Sequence, residues 1–292
     1  MHISSLPREV TSRQLNERAI GAILIDSDRL RPPDAERILR LQREKGMRFG
    51  EAGLALGVLT QADIDFAISR QFDYAYLAAD DTSVSREVVA AFQPFTPLVE
   101  QLRVLRSQLM LRWLTGEPQR KTIVVASPQR GDGRSYVAAN LAVVFSQLGE
   151  RTLLIDADLR NASQHRYFKL DNRVGLVNAL TGRTGEEIAR PIPGLRDLSV
   201  MTSGALPPNP QELLAKAQFG QLLESVSNSY DIVIVDTSAG TVAADVELVA
   251  ARAGAAMIVA RKNHTSAASA RDLVERLTRN KIQIPGSVLN SL

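Results

Sequence analysis

From Thr122 onward, six short apolar runs, Thr122–Ala126, Thr152–Ile155, Leu198–Met201, Ile232–Val235, Ala256–Ala260 and Ser287–Leu289, are separated by amphipathic stretches of helix length. Strands that alternate with helices build βαβ units. Their parallel strands lie between two helical layers, which is why they read as continuous apolar runs. Between the first run and the helical pattern Tyr136–Leu148 stands Ser127-Pro-Gln-Arg-Gly-Asp-Gly-Arg-Ser135. A strand that ends in a glycine-containing turn and then opens a helix aims several backbone N–H groups and the positive end of the helix dipole at one point. An anionic phosphate fits there, and Gly131, Asp132, Gly133, Arg134, Ser135 and Tyr136 are the candidate nucleotide-binding residues. The usual loop ends Gly-Lys-Ser/Thr, whereas this one reads Gly133-Arg134-Ser135. Arginine keeps the charge but is a wide planar fork, which cannot occupy the point between β- and γ-phosphate oxygens that a compact ammonium takes. Nucleotide binding is therefore expected, with phosphoryl transfer slowed or absent.

Two further motifs agree with this loop. Leu153-Leu-Ile-Asp156-Ala-Asp158-Leu-Arg160 sets two carboxylates two residues apart at a strand end, where same-facing side chains can hold Mg²⁺ or its water shell. Ile232-Val-Ile-Val235-Asp236 is a second apolar strand ending in aspartate, the form of a Walker B element, and Ser135 can offer its hydroxyl to the metal. The expected metal set is Ser135, Asp156 and Asp236, and the expected catalytic set Arg134, Asp156, Asp158 and Asp236. His165 and His264 have no ligand spacing to another histidine and read as ordinary surface residues.

With 292 residues, 45% hydrophobic and 23% charged, the chain has room for two globular domains. Its net charge of +3 comes from bases interleaved with acids, which argues against nucleic acid as a partner. The absence of cysteine excludes disulfides, thiolate catalysis and cysteine-ligated metals. The polar start, Met1 to Glu17, and the lack of any long apolar run lead to the expectation of a cytoplasmic chain without a transmembrane segment. Before residue 75 the pattern is helical, punctuated at Pro32-Pro33, Gly46 and Gly57. The expected organisation is a small, mostly helical tandem-repeat domain over 1–76, a linker over 77–97 and an α/β P-loop NTPase domain with a mainly parallel sheet over 98–292. Asp80-Asp81-Thr82-Ser83 and Pro94-Phe95-Thr96-Pro97 suggest the linker. The repeat aligns Ala19-Ile20-Gly21 with Arg48-Phe49-Gly50, Leu30 with Leu59, Ile38 with Ala67 and Gln42 with Gln71, in two 24-residue copies around a five-residue spacer.

Over Arg18 to Gln71 the repeat resembles the N-terminal domain of the MshE-type and type II secretion ATPases, members of which bind cyclic di-GMP. The second copy carries Arg48, Gly50, Gly57, Leu59 and Gln71 at the family's positions. The first keeps Gly21, Leu24, Leu30 and Gln42, has Ala19 at the arginine position with Arg18 one residue early, and has Asp28 where a glycine is usual. The resemblance implies a cyclic di-GMP site on Arg18, Gly21, Leu24, Leu30, Gln42, Arg48, Gly50, Gly57 and Gln71. On the repeat alone, a small helical adaptor is the alternative.

From about Pro97 to the end the chain resembles the bacterial tyrosine kinases of capsule and exopolysaccharide synthesis, most closely the chain-length determinant protein tyrosine kinases of the EpsG type. The matching residues are the glycine loop with Ala138-Ala-Asn140-Leu-Ala142, Leu153 to Arg160, Pro207-Pro-Asn-Pro210-Gln-Glu-Leu-Leu214 and Asp231 to Asp236. The resemblance implies ATP or ADP with Mg²⁺ as ligands. It gives Asp156, Asp158 and Asp236 the metal and nucleophile activation, and Asn290 a contact with adenine. It also implies that Glu100-Gln-Leu-Arg103-Val-Leu-Arg106 joins subunits into a homo-oligomeric ring, and that a membrane chain-length determinant protein of the polysaccharide co-polymerase kind is the partner, tying the chain peripherally to the inner membrane. Such kinases phosphorylate a C-terminal tyrosine cluster, which is not expected here because the last tyrosine is Tyr230. The function expected is regulation of exopolysaccharide synthesis and chain length, gated by cyclic di-GMP. A catalytically inactive, nucleotide-dependent adaptor is the first alternative. A partitioning or cell-division-site ATPase of the ParA/MinD type is the second, although the position of its signature lysine holds Gln129, followed by Arg130.

Overall fold

The structure is a computed structural model that describes residues 20–71, 76–78, 80–182, 188–242 and 244–291. The chain divides into two compact units, Met1–Ala79 and Asp80–Leu292. In the first unit, helices α1 (20–26), α2 (Pro32–Lys45), α3 (Phe49–Ala55) and α4 (Gln61–Gln71) pair short with long, one pair per repeat copy. The turn after each short helix is built the same way. In the first copy the N–H groups of Arg29 and Leu30 donate to Leu24 O at 2.9 and 3.1 Å, and in the second those of Val58 and Leu59 donate to Gly53 O at 3.1 and 3.2 Å. The turn residue is left-handed in both, Asp28 at φ 57° and Gly57 at φ 65°. Aspartate tolerates that region better than most side chains, so the missing glycine leaves the backbone unchanged. Leu24, Leu30, Ile38, Phe49, Leu59, Ile64 and Ala67 form the core of this unit. Arg29 of the first copy pairs with Asp63 of the second at 3.0 Å and lies over the Phe66 ring, tying the copies together.

The second unit begins with α5 (Val89–Phe92) and α6 (Pro97–Arg112), then alternates β1 (Thr122–Ala126), α7 (Arg134–Ser146) and β2 (Thr152–Asp156). Two short helices follow, α8 (Gln164–Tyr167) and α9 (Leu176–Leu180), then β3 (Arg190–Pro191), β4 (Leu198–Met201), α10 (Pro210–Ala215), α11 (Ala217–Ser229) and β5 (Ile232–Asp236). The last elements are α12 (Asp245–Ala253), β6 (Ala256–Arg261), α13 (Ala267–Arg279) and β7 (Ser287–Asn290). The seven strands lie in the order β3-β4-β2-β5-β1-β6-β7, all parallel except the two-residue β3, which runs antiparallel to β4. Strand side chains alternate between the faces. Val124, Ala126, Leu153, Ile155, Val233 and Val235 share one core with Phe219 and Leu223 of α11, Val246 and Val249 of α12, and Leu273 and Leu277 of α13. The buried helix α7 packs on β1, β2 and β5. Its residues from Val137 to Ser146 are all buried, as expected of a helix apolar all round.

The expected linker is a correction. From Asp80 onward the chain belongs to the second unit. Val84, Val88, Ala90 and Ala91 are buried. Asn140 of α7 accepts from Ala90 N at 2.9 Å and donates to Glu87 O at 3.1 Å, while Ser85 N donates to Tyr167 O at 2.8 Å. A buried asparagine amide thus satisfies backbone groups that a polar, proline-flanked stretch would otherwise expose. Among the described residues no helix is long and apolar enough to cross a membrane.

Candidate functional site

The phosphate loop leaves β1 at Ala126 and enters α7 at Arg134. Gly133, the residue before the helix, has φ 90°, and an added Cβ would stand 2.1 Å from Asn290 Nδ2, so only glycine fits. The first-turn N–H groups of α7 have no intrahelical partner, which leaves them directed into the loop. Asp132 is buried and organises the loop from inside. Its Oδ2 accepts from Gln129 N at 2.8 Å, and its Oδ1 accepts from Thr265 Oγ1 at 2.6 Å and faces His264 Nδ1 at 3.0 Å. Arg261 donates to Gly131 O, and Asn290 Nδ2 donates to Asp132 O at 3.0 Å. The turn after β6 and the end of β7 therefore strap the loop from outside. Asn290 is thus part of the loop's own hydrogen bonding, and His264 is a loop partner rather than the ordinary surface residue expected from sequence.

Arg134 and the three aspartates do come together. The guanidinium is buried and spans β2 and β5. Its Nη2 lies 3.0 Å from Asp158 Oδ2, its Nε 3.1 Å from Asp236 Oδ1, and its Nη1 donates to Ser127 Oγ at 2.9 Å. Gln164, at the start of α8, is fully buried and donates through Nε2 to Asp236 Oδ2 at 2.8 Å and to Ser135 O at 3.0 Å. Asp156 is spent on backbone. Its Oδ2 accepts from the N–H groups of Ser163 and Gln164, both at 2.9 Å, and its Oδ1 accepts from Asp158 N at 3.2 Å. Burial, and after it the facing Asp236 carboxylate, push Asp156 up to about 7. Burial also raises Asp158, against the pull of Arg134. Gln164 sits at no motif position, and Ser127, the first residue of the loop motif, carries no signal in the sequence that its hydroxyl would meet Arg134.

The carboxylates as arranged do not fit a Mg²⁺ ion. Asp158 Oδ1 accepts from Asn161 N at 2.9 Å, so every carboxylate oxygen of the three residues already has a donor, and a guanidinium charge stands between two of them. Among the described residues no cluster of histidine, aspartate or glutamate side chains is disposed to hold a metal. Ser135 is half-buried beside the cluster, and burial raises the phenol of half-buried Tyr136.

On α6, Glu100 and Arg103 form an ion pair with each other, and Arg106 turns inward to donate to Val144 O. Arg106 therefore braces the end of α7 instead of standing with the other two on one outward face. In the first unit Leu24 and Leu30 are core residues. Cβ atoms at Gly21 and Gly50 would lie 3.1 Å from Phe49 and Ile64, so these glycines let elements of the unit approach. Arg48 is exposed at the start of α3, Gln42 and Gln71 are half-buried, and Arg18 lies outside the described residues.

A parallel sheet carrying a phosphate loop after β1 and aspartates at the ends of β2 and β5 defines a P-loop NTPase. The family model described as "ParA: NUBPL iron-transfer P-loop NTPase" matches residues 119–291. Tyrosine-protein kinase YwqD of Bacillus subtilis is 35% identical over 207 residues, 71% of this chain and 86% of that protein. Tyrosine-protein kinase etk of Escherichia coli is 34% identical over 70% of this chain, which spans only 28% of that longer relative. Among solved structures, the kinase domain of Escherichia coli ETK matches with a TM-score of 0.66 at 30% identity, covering 70% of this chain and 80% of that one. The BceF tyrosine kinase domain matches with 0.63 at 27%, covering 77% and 96%. The septum site-determining protein MinD from Pyrococcus horikoshii, complexed with Mg-ADP, shares the fold at 20% identity with a TM-score of 0.51, over 58% of this chain and 69% of that one. The chain belongs to the bacterial tyrosine kinase family.

Proposed function

We propose that this chain is a nucleotide-dependent regulator of exopolysaccharide synthesis and chain length, built on the kinase fold but with phosphoryl transfer suppressed. The observation that carries this reading is the Arg134 fork. A residue that would have to reach the β- and γ-phosphates is instead held by Asp158, Asp236 and Ser127. Leaving that position would uncover two buried carboxylates, so transfer to the phosphates is opposed at each turnover. ATP or ADP bound to the loop then acts by changing how the chain meets its partners. Those partners are other copies of itself through α6 and a membrane chain-length determinant protein, so that the chain works at the inner membrane from the cytoplasmic side. Arg134→Lys tests this reading. Lysine is a flexible point charge that cannot satisfy three acceptors in a plane. ATP hydrolysis or phosphotransfer by the variant is expected to rise by about tenfold or more, the scale of a single positioned cation at a developing charge. An unchanged rate would remove Arg134 as the cause of suppression.

The first unit supplies the regulatory input in this proposal, as a cyclic di-GMP receptor. Its support is the repeat geometry, in which Asp28 and Gly57 shape equivalent turns, together with the exposed Arg48 at the start of α3. An exposed guanidinium can pair with a phosphate and stack on a guanine. Calorimetric titration of Arg48→Ala with cyclic di-GMP is expected to show affinity lowered by about tenfold or more, and retained affinity would sink the assigned site.

A further inference from the structure

In P-loop NTPases a divalent metal normally sits between the loop serine or threonine and the strand aspartates, and carries the phosphate charge with it. Here the six oxygens of Asp156, Asp158 and Asp236 accept from Arg134 Nε and Nη2, Gln164 Nε2 and the backbone N–H groups of Asp158, Asn161, Ser163 and Gln164. A metal entering this cluster would have to share oxygens that already accept hydrogen bonds and approach a fixed positive charge. The guanidinium has five N–H donors, of which three are engaged by Asp236, Ser127 and Asp158, so its charge is already fixed at the position a metal would take beside these aspartates. Arg134 sits at the first position of α7, where the helix N–H groups converge on an anion arriving at the loop.

We infer that Arg134 is the resident cation of this site: it takes the place of the divalent metal, so that a nucleoside diphosphate binds the loop without Mg²⁺ and a free divalent ion finds no site among the aspartates. This rests on the nucleotide-binding reading above and specifies its ionic requirement. It differs from a simple loss of function, because the cation that meets the aspartates in the metal's place is built into the chain. Nucleotide occupancy would then not follow the supply of free metal.

Two titrations of the full chain test it, with Arg134→Lys as the comparison. In the first, Mn²⁺ alone is added and free ion is followed by electron paramagnetic resonance. The wild-type chain is expected to leave the Mn²⁺ signal at its free intensity, whereas the lysine variant, with carboxylate oxygens released, depletes it. Stoichiometric Mn²⁺ binding by the wild type would overturn the inference whatever the nucleotide does. In the second, ADP is titrated calorimetrically in excess Mg²⁺ and in excess EDTA. The wild-type dissociation constant is expected to change by less than about threefold, and that of the lysine variant to weaken by about tenfold or more in EDTA. ADP binding by the wild type only in Mg²⁺ overturns the inference and leaves the nucleotide reading standing. No ADP binding in either buffer overturns both.

Discussion

Gly175→Ala is expected to destabilise the second unit by about 3–5 kcal/mol, near the upper end of what one substitution does. The cause is space. The backbone there is extended, φ −175°, a conformation open to any residue. A Cβ would, however, stand 2.0 Å from Thr202 O and 2.6 Å from Gly204 N. Both are main-chain atoms, so no side-chain rotation relieves the clash. Residues 202–204 continue from β4, and they hold the start of α9 through Leu176 N to Thr202 O at 2.8 Å and Val177 N to Ser203 O at 2.9 Å. Moving α9 away breaks these bonds and lifts Leu176 and Leu180 out of the core they share with β2 and α11. For a domain of this size such a loss lowers the melting temperature by roughly 6–20 °C. Thermal denaturation followed by circular dichroism measures this. A shift of less than about 2 °C would mean that α9 is seated loosely enough to absorb a methyl group.

How much of this was legible in the sequence differs between the sheet and the site. The six apolar runs became β1, β2, β4, β5, β6 and β7 to within one residue at each end; the inner strands β1, β2 and β5 are buried throughout and declare themselves by near-continuous apolar composition, whereas the edge strand β7 is only partly buried. The two-residue β3, Arg190–Pro191, carries no such signal, and the strand order depends on where crossovers land. The stretch 77–97 looked like a linker because its few anchors, Val84, Val88, Ala90 and Ala91, stand between the polar run Asp80-Asp81-Thr82-Ser83 and the proline-flanked Pro94-Phe95-Thr96-Pro97. At the site, the sequence supplied the loop and the aspartates but not what they do to each other. Arg134 meets Asp158 and Asp236 across 24 and 102 residues, and His264 meets Asp132 across 132. Side-chain direction over such separations is decided by packing. A motif match therefore assigns Arg134 to the phosphates while the fold turns it to the carboxylates. The Asp28 departure is the reverse case. The motif flagged it, yet the left-handed turn it shares with Gly57 shows that the backbone kept its form.

Arg134→Ala is expected to cost about 3–5 kcal/mol at neutral pH, the loss seen when one side of a buried ion pair is removed and the other left uncompensated. The guanidinium and its two carboxylates are 9%, 6% and 0% exposed, so water cannot take over. Alanine leaves Asp158 Oδ2, Asp236 Oδ1 and Ser127 Oγ without a donor, and leaves three carboxylates facing one another. The sign of the pH dependence follows from the same geometry. Burial already holds Asp158 above its ordinary value, and Arg134 is the main force pulling it down. Without Arg134, the folded-state value rises further while the unfolded value stays near 3.8. A carboxylate raised in this way binds more protons folded than unfolded across the window between the two values, so the variant gains stability relative to wild type as pH falls through that window. The deficit should therefore be widest above the raised folded-state value and should shrink as pH falls from there toward 3.8. Urea denaturation of both proteins at the two ends of this range reads it directly. If Arg134 served only as a phosphate ligand exposed to solvent, the alanine variant would lose nucleotide affinity but would unfold at the same urea concentration as wild type at every pH. A narrowing gap instead identifies the guanidinium as the counter-charge that lets three aspartates share one buried site.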